Sequence, residues 1–377
     1  MSHKFLSLAA LAALVSVSFS ACDDDDDDNK NDNAVQVASI DCDASNASNW
    51  GNYMKAVAKG LKDDAATLYA DWNDNYDDLN MSFAAYFKSQ PAAESAQEIV
   101  GGCVDIANEV GDAKIGEPLD LWNAGRTTEA VLAVESWYSW HSRDDYSNNI
   151  LSIRNSYYGS RDNSVSDKSL SALVKSLDPD FNTRIVNAID NAYNKILDIP
   201  QPFRNNIASQ EAADAQIACG ELTSLLKSLQ SMVVDYDNDK LATIVNNYVD
   251  VVVLPTYKDL ADKNAALYAT AEAFAANPST EAFATCAAAW LAAREPWEKS
   301  EAFLFGPVGD KGLDPNMDSW PLDQAGIEAV IKSGDFSGMN WSGEFDEDND
   351  NIASAQSLRG FHTLEFLIFK DGKPRTY

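Results

Sequence analysis

The stretch "NWGNYMKAVAKGLKDDAATLYADW", Asn49 to Trp72, decides the fold class. Its apolar residues return every three or four positions, from Trp50 through Met54, Val57, Leu61 and Leu68 to Trp72. That period places them on one face of a helix, and alanine, lysine and leucine favour the same conformation. Working outward, "PAAESAQEIVGGCVDIANEV" from Pro91 opens with proline at a first turn, where its missing N–H costs nothing. "PDFNTRIVNAIDNAYNKILDI" from Pro179 and "QEAADAQIACGELTSLLKSLQSMVVDY" from Gln210 keep the period. "NPSTEAFATCAAAWLAAREPWEKSEAFLF" from Asn277 adds a serine–threonine–glutamate start. Lys240 to Asn277 begins amphipathic, but Pro255 within it is expected to kink or interrupt the helix. No series of alternating strands stands beside these, so the chain is expected to be all-α.

Polar loops divide the helices: "GSRDNSVSD" from Gly159, "DIPQPFRNN" from Asp198 and "GPVGDKGLDPNMDSWPLD" from Gly306. The length suits two antiparallel four-helix bundles. Pro200–Asn206 is the expected boundary, giving bundles over 45–205 and 206–377; a break near Asp239 is the alternative.

The beginning reads as an export signal. Lys4 supplies a positive start, Phe5–Phe19 is an apolar run too short to span a bilayer, and "FSAC" leads to Cys22. This is the pattern of a lipoprotein signal over 1–22, with Cys22 as the lipidated residue. Six aspartates follow at once, and residues 23–44 are expected to be an extended acidic tether because like charges repel. The expected location is the cell envelope of a Gram-negative bacterium, lipid-anchored to the outer membrane on its periplasmic or surface face. Membrane contact is expected through the lipid only.

The formal net charge of −31 argues against nucleic acid, whose phosphates it would repel, and suits a cationic ligand or plain solubility. Besides Cys22 there are cysteines at 42, 103, 219 and 286, with no CxxC pair. One or two disulfides are compatible with an oxidising compartment; a zinc ribbon is not expected.

Chemistry concentrates in three places. "RGFHTLEFLIF", Arg359–Phe369, sets His362 and Glu365 three apart, hence on one helical face, behind Gly360. The pair either converges on one metal ion or is a core histidine satisfied by one carboxylate. The HExxH zinc-peptidase signature is absent. "WLAAREPWEKSEAFLFGP" from Trp290 mixes Arg294, Glu298 and Glu301 with Trp290, Trp297 and Phe305, either as a solvated face or as an interface where charges need partners. "ESWYSWHSRDDYSNNILSIRNSYYG" from Glu135 gathers Ser139, His141, Ser142, Asp144 and Asp145 beside two tryptophans. Sequence neighbours rarely meet in triad geometry, so a pocket lining is the better reading. The acidic runs "DEDNDN" from Asp346 and "DYDNDK" from Asp235 lack the glycine and final glutamate of a calcium loop and are expected to be solvated.

Together these stretches resemble the imelysin-like proteins. "GFHTLEFLIF" is similar to their GxHxxE motif, "AAWLAAREPWEKSEAFLFGPV…DSWPLD" to the segment ahead of it, and the stretch from Glu135 to their serine- and aspartate-bearing helix start. In the usual order a helix like "YVDVVVLPTYKDLADKNAALYATAEAF" opens the domain and GxHxxE falls mid-chain. Here the opening helix begins near Lys240, so the resemblance implies a circularly permuted order. It further implies two bundles related by duplication, a site between them and a role in bacterial iron uptake. Carried over, that ligand-binding site comprises Gly360, His362, Glu365, Arg294, Glu298 and Glu301, with Ser139, His141, Ser142 and Asp145 from the other bundle. His362 and Glu365 are the metal-ligand candidates, for iron or alternatively zinc. The chain departs from the family's "FSDNTHxD" pattern at Trp140, His141 and Arg143.

The expected function is therefore binding of iron, or of an iron-bearing small ligand, with iron-uptake proteins as partners. The alternative is an HxxE metallopeptidase. The family has been classed with metallopeptidases, yet two ligands fall short of the three, plus water and base, that hydrolytic zinc requires.

Overall fold

The computed structural model describes residues 40–76, 79–341 and 343–377. The expected signal, Cys22 and nearly all of the acidic tether lie outside these residues. The principal helices are α1 (Ala47–Asn73), α2 (Ala92–Glu109), α3 (Ser142–Tyr158), α4 (Pro179–Asp198), α5 (Gln210–Met232), α6 (Leu254–Ala276), α7 (Thr280–Glu298) and α8 (Gly360–Ile368). Two-residue strands, Phe369–Lys370 and Lys373–Pro374, pair antiparallel around a tight turn. The protein is all-α. No helix among the described residues is long and apolar enough to cross a membrane.

Helix ends follow local chemistry. Asp178, Ser209 and Ser279 cap α4, α5 and α7 by accepting from the backbone N–H three residues on. Asp237 in one acidic run and Asn349 in the other also accept backbone N–H groups at helix starts. Both runs therefore open helices. Pro255 does not break the chain's helical course. A π-helical turn, Tyr248–Val253, leads straight into α6, and Pro255 sits in its first turn, where it owes no hydrogen bond.

The helices gather differently from the boundary expected at Pro200–Asn206. α1 packs along α6 and α8, and α6 along α7; α5 packs along α2 and α4, and α3 along α2 and α4. So α1 joins the C-terminal helices, while α5, beyond the expected boundary, joins the first half. The buried stripe of α1, Trp50, Tyr53, Met54, Val57 and Leu61, faces these partners, and Met54, Val57 and Leu61 each gain roughly 1.5–3 kcal/mol by burial. Trp50 Nε1 donates to Leu367 O (3.0 Å) and Tyr53 Oη to Leu358 O (2.7 Å), fastening α1 to α8 and the residues before it. Gly51 lets α1 approach α6 closely, since a Cβ there would lie 2.8 Å from Ala275 Cα. Between the two groups, α3 meets α7. Cys42, Cys103, Cys219 and Cys286 are all buried free thiols, so none of the disulfides the sequence allows is present among the described residues.

Candidate functional site

α8 is buried along its whole length. It starts at Gly360, whose φ of +88° is natural only for glycine and whose missing Cβ leaves room for Met317 O. Two residues on, His362 is fully buried; Glu365 follows one turn later, also fully buried. Their side chains bind each other: Glu365 Oε2 lies 3.0 Å from His362 Nδ1. The other oxygen, Oε1, accepts from Tyr138 N (3.0 Å), Ser139 N (2.7 Å) and Ser139 Oγ (2.7 Å). Glu365 thus has both oxygens engaged within the protein, and it orients the imidazole rather than joining it around a shared point.

The cradle for Oε1 is the bend before α3. Ser136 and Trp140 hold positive φ there (48° and 62°), which turns the Tyr138 and Ser139 N–H groups towards one acceptor. Ser142 takes no part in the site: its hydroxyl donates to Glu135 O (2.5 Å) and closes the bend. His141 Nδ1 lies 2.8 Å from Asp145 Oδ1, and Ser136 donates to Asp145 Oδ2.

α7 brings the opposite wall. Arg294 is wholly buried; its Nη2 is 2.6 Å from Glu298 Oε1 and 3.4 Å from His362 Nε2. Its Nη1 donates to Asp318 Oδ1, and its Nε lies 3.5 Å from Asp145 Oδ2. The Glu298 contact is ionic only, because no N–H points along it; Oε1 of this buried carboxylate has no hydrogen bond. Its Oε2 accepts from Asn149 Nδ2 (2.5 Å) on α3. Asp318 Oδ1 is also 3.2 Å from His362 Nε2, and Oδ2 accepts from Trp297 Nε1 (2.6 Å). Trp320 packs its ring edge on His362 at 4.9 Å between centroids.

Site residues expected from sequence therefore converge: His362, Glu365, Arg294, Glu298, Ser139, His141 and Asp145 form one contact network, with Glu301 at its edge. One oxygen from each of Glu298, Glu301 and Asp318 lies within 4.8 Å of the others. Asp318 is the residue sequence reasoning missed. It ends a short helix, Leu313–Asp318, inside a stretch expected to be loop, and nothing in "PNMDSWPLD" marks that aspartate as inward. Ser136 and Asn149 were missed likewise.

Electrostatics divide these acids. Burial pushes Glu298 up to about 8, against the pull of Arg294. Burial also raises Glu301 well above its ordinary range, with Lys114 opposing. Burial and the neighbouring Asp318 charge lift Asp314 to about 7. Asp318 goes the other way: burial would raise it, but Arg294 and His362 outweigh that and hold it ionised. Burial and Arg294 both oppose a charge on His362, yet Asp318 and Glu365 prevail and lift it to about 9. His141 is lifted to about 9 as well, burial being overcome by Asp145. Lys114, buried in the π-helical turn after α2, is held charged against burial by Glu135 (3.1 Å) and Glu109 (3.5 Å). The cluster has more carboxylates than permanent cations and stores protons on some of them.

Comparison with known proteins establishes the family. The family model described as Imelysin matches residues 23–231 and 253–377. This chain belongs to the imelysin family. The crystal structure of an imelysin peptidase from Bacteroides ovatus is similar at 52% identity and a TM-score of 0.87, over 90% of this chain and 99% of that one. Iron-regulated protein A of Synechococcus elongatus is 30% identical over 130 residues, 34% of this chain and 32% of that protein. The chain thus matches about a third of the length of that relative. As an imelysin-family fold, the architecture places the His362 helix against α7 and the bend before α3, the three stretches that carried the sequence resemblance.

Proposed function

We propose that this imelysin-family chain is a lipid-anchored protein of the Gram-negative cell envelope that takes up iron by binding it between the two helix groups. The observation that carries the reading is the set of Glu298, Glu301 and Asp318, with one oxygen of each within 4.8 Å of the others, and Asp318 lying 3.2 Å from His362 Nε2. Carboxylates with one imidazole suit ferrous and ferric iron, and the strongly acidic sequence, with a formal net charge of −31, would attract cations. In this reading His362 is a ligand through Nε2, and Glu365 fixes the ring through Nδ1, as carboxylates behind metal-bound histidines do. This refines the sequence-based pairing of His362 with Glu365 as joint ligands. Resemblance to iron-regulated protein A supports iron as the cargo. Duplication of a four-helix unit and a circularly permuted order belong to the same proposal, and the seating of α1 among the C-terminal helices supports it.

Isothermal titration with ferrous ion under anaerobic conditions tests the function. One site per chain is expected, weakened at least tenfold by Glu298→Gln with Glu301→Gln. No binding by the wild-type chain would overturn iron ligation. Chelator-sensitive cleavage of a peptide library would instead establish the metallopeptidase alternative.

A further inference from the structure

Arg294 contacts two of the three carboxylates of the candidate cation set, Glu298 and Asp318. Its Nη2 faces Glu298 Oε1 at 2.6 Å and His362 Nε2 at 3.4 Å, and its Nη1 donates to Asp318 Oδ1. A guanidinium cannot be a ligand, because it has no free lone pair, and it does not shed its proton in proteins. It can yield its place only by moving.

We propose that Arg294 is a resident counter-ion that occupies the cation position in the empty protein and is displaced when a cation enters. The inference rests on the cation-binding reading above and specifies the class of cargo. The guanidinium has somewhere to go. Its Nε already lies 3.5 Å from Asp145 Oδ2, and its carbon sits 5.3 Å from the centre of the Phe361 ring. Displacement would carry the guanidinium away from Glu298 and Asp318 and towards Asp145. No covalent step is involved; one cation replaces another beside the same carboxylates. Buried carboxylates left without a cation are costly, so the resident charge keeps the empty site folded. It also filters ligands. A monovalent ion gains too little from the carboxylates to evict a guanidinium that contacts two of them. A multivalent cation gains more, since the attraction scales with its charge. An anionic iron complex would be drawn to Arg294 and would leave it in place. The cargo that would displace Arg294 is a bare multivalent cation.

Ferrous ion alone, titrated anaerobically into the full chain, gives the test. Arg294→Gln is expected to bind about tenfold more tightly than wild type, while Arg294→Lys, which keeps a charge, stays within about threefold. The metal-free Arg294→Gln chain should melt several degrees lower, and the ion should restore most of that loss. Equal or weaker binding by Arg294→Gln overturns the place-holder role and leaves cation binding standing. Absence of binding by both chains overturns both readings. Should Arg294→Gln fail to fold, the wild-type chain still decides. Its Arg294 Nε–H resonance, identified by its loss in Arg294→Lys, should shift and lose exchange protection with zinc ion. A resonance unmoved once the His362 signals have saturated overturns the displacement.

Discussion

Glu365 binds His362 with one carboxylate oxygen, at 3.0 Å from Nδ1, and the bend at Tyr138 and Ser139 with the other. One side chain thereby joins α8 to the start of α3 across the two helix groups, and it is fully buried. Glu365→Ala would leave two N–H groups, a hydroxyl and Nδ1 without their acceptor. The expected loss is at least roughly 4 kcal/mol of unfolding free energy, because each of these groups, left without an acceptor, pays about 1–3 kcal/mol of desolvation. Ser139→Ala removes one donor among three and should cost about 1 kcal/mol. Urea denaturation of both variants checks the ratio; equal losses would show that the backbone cradle does not matter.

Asp318 is the hub on the opposite side. It accepts from Arg294 and Trp297 and lies 3.2 Å from His362 Nε2. Asp318→Asn keeps the shape but removes the charge and turns one acceptor into a donor facing donors. A loss of roughly 3–5 kcal/mol is expected, the scale for breaking one side of a buried ion pair. Asp318 also raises the His362 pKa, so that value should fall from about 9 in the variant. An NMR titration of the imidazole reads this independently of stability.

The contrast between these two acids shows what the sequence reveals. Glu365 is legible because helical period ties it to His362, and the period is local. Arg294 and Glu298, four apart on α7, are legible for the same reason. Asp318 is not, since only the path of the chain from Gly306 to Asp323 turns it inward, and that path depends on packing against α8. The helix grouping was hidden for a related reason. The apolar stripe of α1 says that a face is buried but not by whom, and the partners α6 and α8 begin about 180 and 290 residues after Ala47–Asn73 ends. Pro255 misled in the other direction: a proline within a helical pattern signals a break, but a preceding π-turn absorbs it.

Gly360 tests the placement of α8. Its φ is +88°, and a Cβ would stand 2.6 Å from Met317 O, a backbone atom that cannot swing aside. Gly360→Ala should therefore cost at least about 1–3 kcal/mol from backbone strain alone. It should also displace Met317, and with it Asp318 one residue on. Thermal unfolding together with the His362 titration separates the two effects: a stable variant with an unchanged His362 pKa would contradict the close approach.

The buried acids and histidines set the dependence of stability on pH. His362 and His141 have folded values raised to about 9 from an ordinary 6.5. A raised histidine contributes stability that is fully present below the unfolded value and is lost as pH climbs through the folded one. Glu298, at about 8, and Asp314, at about 7, are raised too, so folding favours their neutral forms. Their ionisation becomes a cost as pH rises from the unfolded values, 4.5 and 3.8, to the folded ones. Both effects run the same way. Asp318 and Asp145 are held below their ordinary range, and their contribution is lost only as pH falls below about 4. The metal-free chain should therefore be most stable near pH about 4, lose stability above that as Asp314 and Glu298 ionise, and lose it more steeply from about 6.5 to about 9 as the histidines join them. His362→Asn should flatten the upper part of that decline by removing one of the raised groups. Melting temperatures at constant ionic strength from pH 5 to 9.5 provide the measurement. A maximum at the alkaline end would mean that burial, and not Asp145, Asp318 and Glu365, governs His141 and His362 and lowers their values.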